Sequence, residues 1–340
     1  MTDTTQLSPE METIWRDELS PFLDQREETR KAAVKQLFMG VAIGAAIGIA
    51  ALVGLTMAGA WNFGIFALVV ITFIGGGIGA NKLNGLRKEI KLGLLNRLAE
   101  ALGLSYALKP AEPARFETFC EHGLVPSHNR RNFEDQFSGN LHGAPFELYE
   151  AKLVQRRKSG KNTTYVTVFQ GALIRIEFPR TVEGVTIVTR DSGWFNGLAG
   201  LGHKRYGGKK MERVRLVDPT FEKIFEVYST DQVMSRYLLT PSFMERLLSL
   251  ETAMKGKKVR AAFDERHGGG ELLIAVETGN LFEPGSMFKP LNDDGRVRNL
   301  IDEIDMVTGM VDRLVKPAVA GEVSAVAEEG FDGFRHGILF

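Results

Sequence analysis

The chain has 340 residues, with 42 Lys+Arg against 42 Asp+Glu, so its formal net charge is zero. That length is enough to bury a core, and the balance argues against a dedicated nucleic-acid binder, which carries a basic excess. The single cysteine, Cys120, excludes an intrachain disulfide and suits a reducing compartment.

Residues 1–36 form a charged, partly helical N-terminal segment in which Pro9 and Pro21 are expected to act as breaks. Residues 37–80 contain no Asp, Glu, Lys, Arg or His. A spanning helix needs about 20 apolar residues, so this stretch predicts a transmembrane hairpin. Its helices are placed at 37–58 and 61–80, with a turn at Gly59, Ala60, Trp61 and Asn62. More than thirty residues precede the stretch, which argues against a signal peptide. Arg26, Arg30, Lys31 and Lys35 precede the first span, and Lys82, Arg87, Lys88 and Lys91 follow the second. The connecting turn carries no basic residue, so both termini are expected in the cytoplasm, at a bacterial inner membrane. Gly40, Gly44 and Gly48 fall on one helix face and predict a close-packing stripe. Its partner is the second span or another subunit of a homo-oligomer. No ionisable group lies within the spans, which disfavours an ion path.

Residues 81–114 read as an amphipathic juxtamembrane helix and a linker. Leu83, Leu86, Ile90, Leu94, Leu98 and Leu102 recur at helical spacing, Lys91 and Arg97 take the other face, and Gly103 is the stop. Residues 115–316 read as a cytoplasmic α+β domain. A short helix at 115–122 precedes strands at 146–154, 165–178, 185–188, 214–217 and 225–228. Helices follow, one capped by Thr230 or Asp231 and one starting at Thr240-Pro241. A hairpin is expected around His267-Gly268-Gly269-Gly270, and a last helix at 297–315. Residues 317–340 read as a flexible tail. Strands first and helices later, without βαβ alternation, predict a mainly antiparallel sheet. A bent sheet closed by a terminal helix, as in pleckstrin-homology-like domains, fits that order.

Several runs resemble a known family. They are Phe146-Glu147-Leu148-Tyr149-Glu150-Ala151, Val168-Phe169-Gln170-Gly171, the run from Phe221 to Ser229, Asp231-Gln232-Val233, and Arg236-Tyr237-Leu238-Leu239-Thr240-Pro241. Together they resemble the bacterial membrane-protein family catalogued as domain of unknown function 3137, over residues 115–314. The resemblance implies a membrane protein with no assigned reaction, and a protein partner at the cell envelope. It carries over no catalytic residue.

The candidate chemistry is sparse. The loop from Gly197 to Lys204 lacks the Gly-Lys-Ser/Thr of a phosphate loop, because His203 precedes Lys204 and Arg205 stands where the hydroxyl belongs. No Gly-x-Ser-x-Gly elbow accompanies His267-Gly268-Gly269-Gly270. Cys120, His122 and His128 make a poor zinc set, and no metal or cofactor is expected. The better candidate is Trp194 and Phe195 followed by Lys204, Arg205, Lys209 and Lys210, a pattern suited to an anionic membrane surface or ligand. A second basic run, Arg156, Arg157, Lys158 and Lys161, reads as a solvated hairpin tip. Asp231 is the carboxylate of first interest, and its structural role is a helix cap. Asp302, Glu303 and Asp305 are expected in solvent. The expected function is a membrane-anchored binding or scaffold protein. The alternative is a membrane-surface enzyme acting on a lipid or phosphorylated substrate.

Overall fold

A computed structural model describes residues 9–110, 113, 115–141, 143–160, 162–178, 181–190, 204–253, 259–266, 269–293, 295, 299 and 303. The chain forms two compact units, one of residues 1–102 with 282–304, the other of residues 103–281 with 305–340.

The first unit begins with α1 (Pro9–Ile14), a π-helical turn (Trp15–Leu19) and α2 (Ser20–Met57). Pro21 does not interrupt the helix. It lies in the first turn of α2, and the wider π turn before it relieves the clash that a proline ring makes with the preceding turn. The connection to α3 (Trp61–Ala101) is shorter than expected, so Trp61 and Asn62 already belong to the helix. Gly59 takes φ +77°, and the Ala58, Gly59 and Ala60 amides donate to the Gly54, Thr56 and Leu55 carbonyls, closing the C-terminus of α2. The expected second span and juxtamembrane helix are one continuous helix. At 1.5 Å per residue it is about 60 Å long, roughly twice a hydrocarbon core.

The apolar halves of α2 and α3 are built inside out relative to a soluble core. Gly44, Gly48, Gly64 and Gly79 are buried between the helices, while Phe38, Ile43, Ile47, Phe63, Phe66, Phe73 and Ile78 point outward. Only 11% of each apolar window is buried. A buried hairpin of a soluble protein would cover those side chains, and water does not tolerate so large an apolar surface. The protein is membrane-associated through these two helices. The two span threonines satisfy their hydroxyls on the helix backbone: Thr56 Oγ1 donates to the Leu52 and Val53 carbonyls, and Thr72 Oγ1 to that of Leu68.

Beyond residue 80 the two helices pack through larger side chains. Leu83, Leu86, Ile90, Leu94 and Leu98 are buried, as their spacing predicts. Phe22 lies over Gly93, with the guanidiniums of Arg26 and Arg97 at 3.9 and 4.1 Å from its ring centroid. Lys91 is not on an open face. It is buried and its ammonium donates to Glu283 at 2.9 Å.

Residues 282–293 supply the rest of this unit, as a strap across the helices. Glu283 also accepts from Arg87 at 2.5 Å. Arg30, held by Glu27 at 2.6 and 2.9 Å, donates to the Met287 carbonyl at 2.9 Å. The Leu291 amide donates to Glu27 at 3.0 Å. Glu303 is not merely solvated: it accepts from the Phe282 amide at 2.6 Å. Asp302, Asp305 and most of the expected helix at 297–315 lie outside the described residues. Burial alone would raise the Glu283 pKa, but Lys91 and Arg87 outweigh it and the net direction is down from its ordinary 4.5. A lowered folded-state value means that this stabilisation is present above about pH 4.5 and is lost as pH falls through the lower, folded value. The Leu291 amide donates to Glu27, whose pKa is likewise lowered from 4.5 by its bond to Arg30, so its hydrogen-exchange protection factor is expected to fall on acidification below about pH 4.5, and Glu27→Gln is expected to remove most of that pH dependence.

The second unit is an antiparallel sheet. In chain order its elements are β1 (Leu104–Ala107), α4 (Phe116–Glu121), β2 (Arg130–Leu141), β3 (Ala144–Ser159), β4 (Asn162–Phe178), β5 (Thr186–Arg190), β6 (Arg205–Tyr206), β7 (Lys209–Lys210), β8 (Glu212–Val214), α5 (Pro219–Ile224), β9 (Phe225–Ser229), α6 (Gln232–Leu238), α7 (Pro241–Ala253), β10 (Val259–Arg266) and β11 (Gly269–Val276). Among the described residues nine strands pair in the order β1-β2-β3-β4-β11-β10-β5-β9-β8, and β6 pairs with β7 separately. This is an α+β architecture. One sheet face packs Tyr149, Leu153, Leu173, Ile187, Ala262 and Leu273 with Phe116 and Phe119 of α4. On the other face Phe263 meets Phe243 of α7, ring centroids 5.3 Å apart. Gly171 sits where β11 crosses closely, and a Cβ there would overlap the Val276 carbonyl.

Candidate functional site

The described part of the basic loop is a two-residue hairpin. Gly207 and Gly208 have φ of +56° and +80°, the left-handed pair that a tight β-turn of this type requires. Arg205 pairs with Lys210 and Tyr206 with Lys209. Lys204 and Tyr206 both donate to the Glu121 carbonyl at 3.0 Å, at the C-terminus of α4. These bonds hold the base of the hairpin, while Arg205, Lys209 and Lys210 are exposed at its tip. Burial pushes the Tyr206 phenol up to about 12, so it remains a donor. Trp194 and Phe195 lie outside the described residues, as does Lys161 of the second basic run. Arg156, Arg157 and Lys158 are exposed on the β3–β4 ribbon.

The densest polar cluster was not anticipated from sequence. It occupies the α4-covered face of the sheet. Glu271 of β11 is fully buried and accepts from Arg115 at 2.6 Å and Arg175 at 3.1 Å. Arg175 also pairs with Glu177 and lies 3.9 Å from Glu147, which accepts from Gln136 at 2.5 Å. Arg115 donates to Asp264 at 2.9 Å. It precedes α4 with φ +65°, an unusual value for a non-glycine residue, and its two ion pairs hold it there. His122, 3% exposed, places Nε2 3.1 Å from Asp264, yet neither ring nitrogen is aligned for a hydrogen bond. Tyr206 covers it edge-on, ring centroids 5.1 Å apart. The Tyr149 hydroxyl, on the same face, is buried without a partner, and burial raises its pKa. The cluster ties α4 to the sheet. Alternate charged positions on adjacent strands were its only sequence signal, because Glu147, Arg175 and Glu177 interrupt otherwise apolar runs.

The remaining candidates have local roles. Asp231 caps α6, accepting from the Val233 and Met234 amides at 2.8 and 2.9 Å. The Met234 bond is the main cause of its lowered pKa. Arg236 bonds to Gln232 rather than to Asp231, and Glu226 pairs with Arg213 at 3.1 Å. Asp231→Ala is expected to cost about 1 kcal/mol, read as a lower unfolding midpoint, with Asp231→Asn retaining most of the stability. Cys120 is half-buried, and burial pushes its thiol up to about 11, an unreactive setting at neutral pH. His128 Nδ1 lies 3.1 Å from the Pro126 carbonyl, and its ring packs edge-on against Phe116. Among the described residues no three His, Cys, Asp or Glu side chains gather as metal ligands. The helix α5 was missed although Asp218-Pro219 announces it: Asp218 accepts from the Thr220 and Phe221 amides.

Gly40, Gly44 and Gly48 face α3. A Cβ at Gly40 would lie 2.5 Å from the Gly75 carbonyl oxygen, one at Gly44 2.8 Å from that of Ile71, and one at Gly48 2.9 Å from the Leu68 Cα. These are backbone contacts that no side-chain rearrangement relieves.

Residues 167–316 match the family model described as "Protein of unknown function (DUF3137)". No curated protein matches. The chain is similar to a solved structure described as the crystal structure of the mycobacterial trehalose monomycolate transport factor A, TtfA. The identity is 10% and the TM-score 0.30, covering 65% of this chain and 93% of that one. A likeness that slight carries no argument about activity.

Proposed function

We propose that this protein is a membrane-anchored binding or scaffold protein that presents its α+β module at the cytosolic face of a bacterial inner membrane. The observation that carries this reading is the α2–α3 hairpin, with its glycine-packed interior and outward-facing aromatic and aliphatic surface. The basic flanks of both spans support placing both termini in the cytoplasm. The module's binding surface in this reading is the β6–β7 tip. Exposed Arg205, Lys209 and Lys210, preceded in sequence by Trp194 and Phe195, suit an anionic ligand or lipid headgroups. A bent sheet of the pleckstrin-homology type is a finer reading that the antiparallel order permits.

The test is a photo-crosslinker at Lys209 of the full chain in native membranes, with one at Thr252 as reference. A discrete lipid or protein adduct at Lys209 alone is expected. Adducts indistinguishable between the two positions would count against the reading. The competing reading is an enzyme acting on a lipid or phosphorylated substrate. Its best support is His122 beside Asp264, a contact that Tyr206 covers.

A further inference from the structure

The strap of the first unit carries an exposed aromatic at a defined depth. Phe288 is 57% exposed, and its ring centroid lies 6.2 Å from that of Phe38, itself 61% exposed. Phe38 is the second residue of the uncharged stretch, one turn beyond Lys35. The opposite helix crosses the same boundary at the same level: a Cβ at Gly79 would lie 2.5 Å from the Leu37 Cα, and Lys82 follows within a turn. Phe288 therefore sits where the charged halves of both helices give way to the apolar halves.

Its position is set by the bonds around it. Glu283 is held by Arg87 and Lys91, the Met287 carbonyl by Arg30, and the Leu291 amide by Glu27. Met287 and Leu291 turn inward and are buried, while Phe288 and Lys289 between them turn outward. Contact with Phe38 leaves most of each ring uncovered, so the pair does not form a closed apolar contact in water. An exposed aromatic ring at the level where the basic flanks, with exposed Lys35 and Lys82, meet the uncharged stretch is the composition found at the boundary between headgroups and acyl chains.

We propose that residues 284–290 form an interfacial membrane contact, with Phe288 inserted beside Phe38 at the headgroup–acyl boundary. The partner is the lipid surface itself, continuous with the lipid-facing side of α2. This rests on α2 and α3 spanning a bilayer. It adds a third gripping segment, placed where the chain leaves the sheet module at Leu281.

The test uses the full chain with Cys120→Ser, reconstituted in nanodiscs of phosphatidylethanolamine and phosphatidylglycerol. A nitroxide is attached through Phe288→Cys, Ile43→Cys or Glu100→Cys, and its access to oxygen and to a water-soluble nickel chelate is measured. Helix geometry puts Glu100 about 30 Å past the end of the span, so it is the aqueous reference. Oxygen preference is expected at 43, nickel preference at 100 and an intermediate ratio at 288. A label at 288 that matches 100 while 43 reads lipid would overturn the interfacial contact and leave the spans standing. Nickel access at 43 would instead overturn the spans, and the contact with them. A charged variant, Phe288→Asp, is expected to shift a label at 289 (Lys289→Cys) toward nickel access without altering that at 43.

Discussion

Replacing Glu271 by Ala is expected to destabilise the sheet module by about 3–5 kcal/mol, the cost of leaving buried charges without their counter-ion. Two guanidiniums, Arg115 and Arg175, converge on this fully buried carboxylate. Removing it leaves Arg175 beside only Glu177 and the more distant Glu147, and releases one of the two ion pairs that hold Arg115 in its left-handed conformation. Denaturant unfolding of the full chain in detergent, followed by hydrogen exchange of the β10 and β11 amides, measures the loss. The exposed Glu12–Arg16 pair is the control, and Glu12→Ala is expected to change stability by less than about 0.5 kcal/mol. Equal effects at the two sites would show that the buried cluster contributes no more than a surface pair.

The second large effect is expected in the spans. Gly40→Leu places a branched side chain against the Gly75 backbone, which has no rotamer with which to yield. Overpacking of this kind costs about 1–3 kcal/mol where neighbours can move, and more is expected against backbone. Helix propensity favours leucine over glycine, so any loss measures the clash. Gly54 and Gly77 are the internal comparison, since a Cβ at either meets nothing within 4 Å. Gly54→Leu and Gly77→Leu are expected to leave the detergent-solubilised protein as thermally stable as the parent. A Gly40→Leu variant that matched them would mean that α2 and α3 do not pack along this stripe.

Much of the helical architecture was legible because it depends on local pattern. An uncharged run marks a pair of apolar helices, and leucines at helical spacing mark the buried seam from Leu83 to Leu98. The capping residues Asp231 and Thr240 were readable for the same reason: a cap bonds to amides two or three residues away. Strands that alternate clearly, such as β4 and β9, were also readable. The strand β2 was not, because Arg130, Arg131, Asn132, Glu134, Asp135 and Gln136 hide its period and a register shift lies between Glu134 and Phe137. Long-range ionic contacts were the least legible. Nothing near Lys91 in sequence announces Glu283, and nothing near Glu271 announces Arg115. The charged residues assigned to an open or solvated face by helical spacing, Lys91 and Glu303, are among those that hold residues 282–293 in place.

Labelling with a membrane-impermeant maleimide in intact cells tests the membrane hairpin most directly. With Cys120→Ser as background, Ala58→Cys at the α2–α3 connection and Glu100→Cys near the end of α3 are compared before and after lysis. The connection is expected to react in intact cells, and position 100 only after the membrane is opened. Reaction at position 100 in intact cells, or protection of position 58 there, would contradict a hairpin with both ends in the cytoplasm.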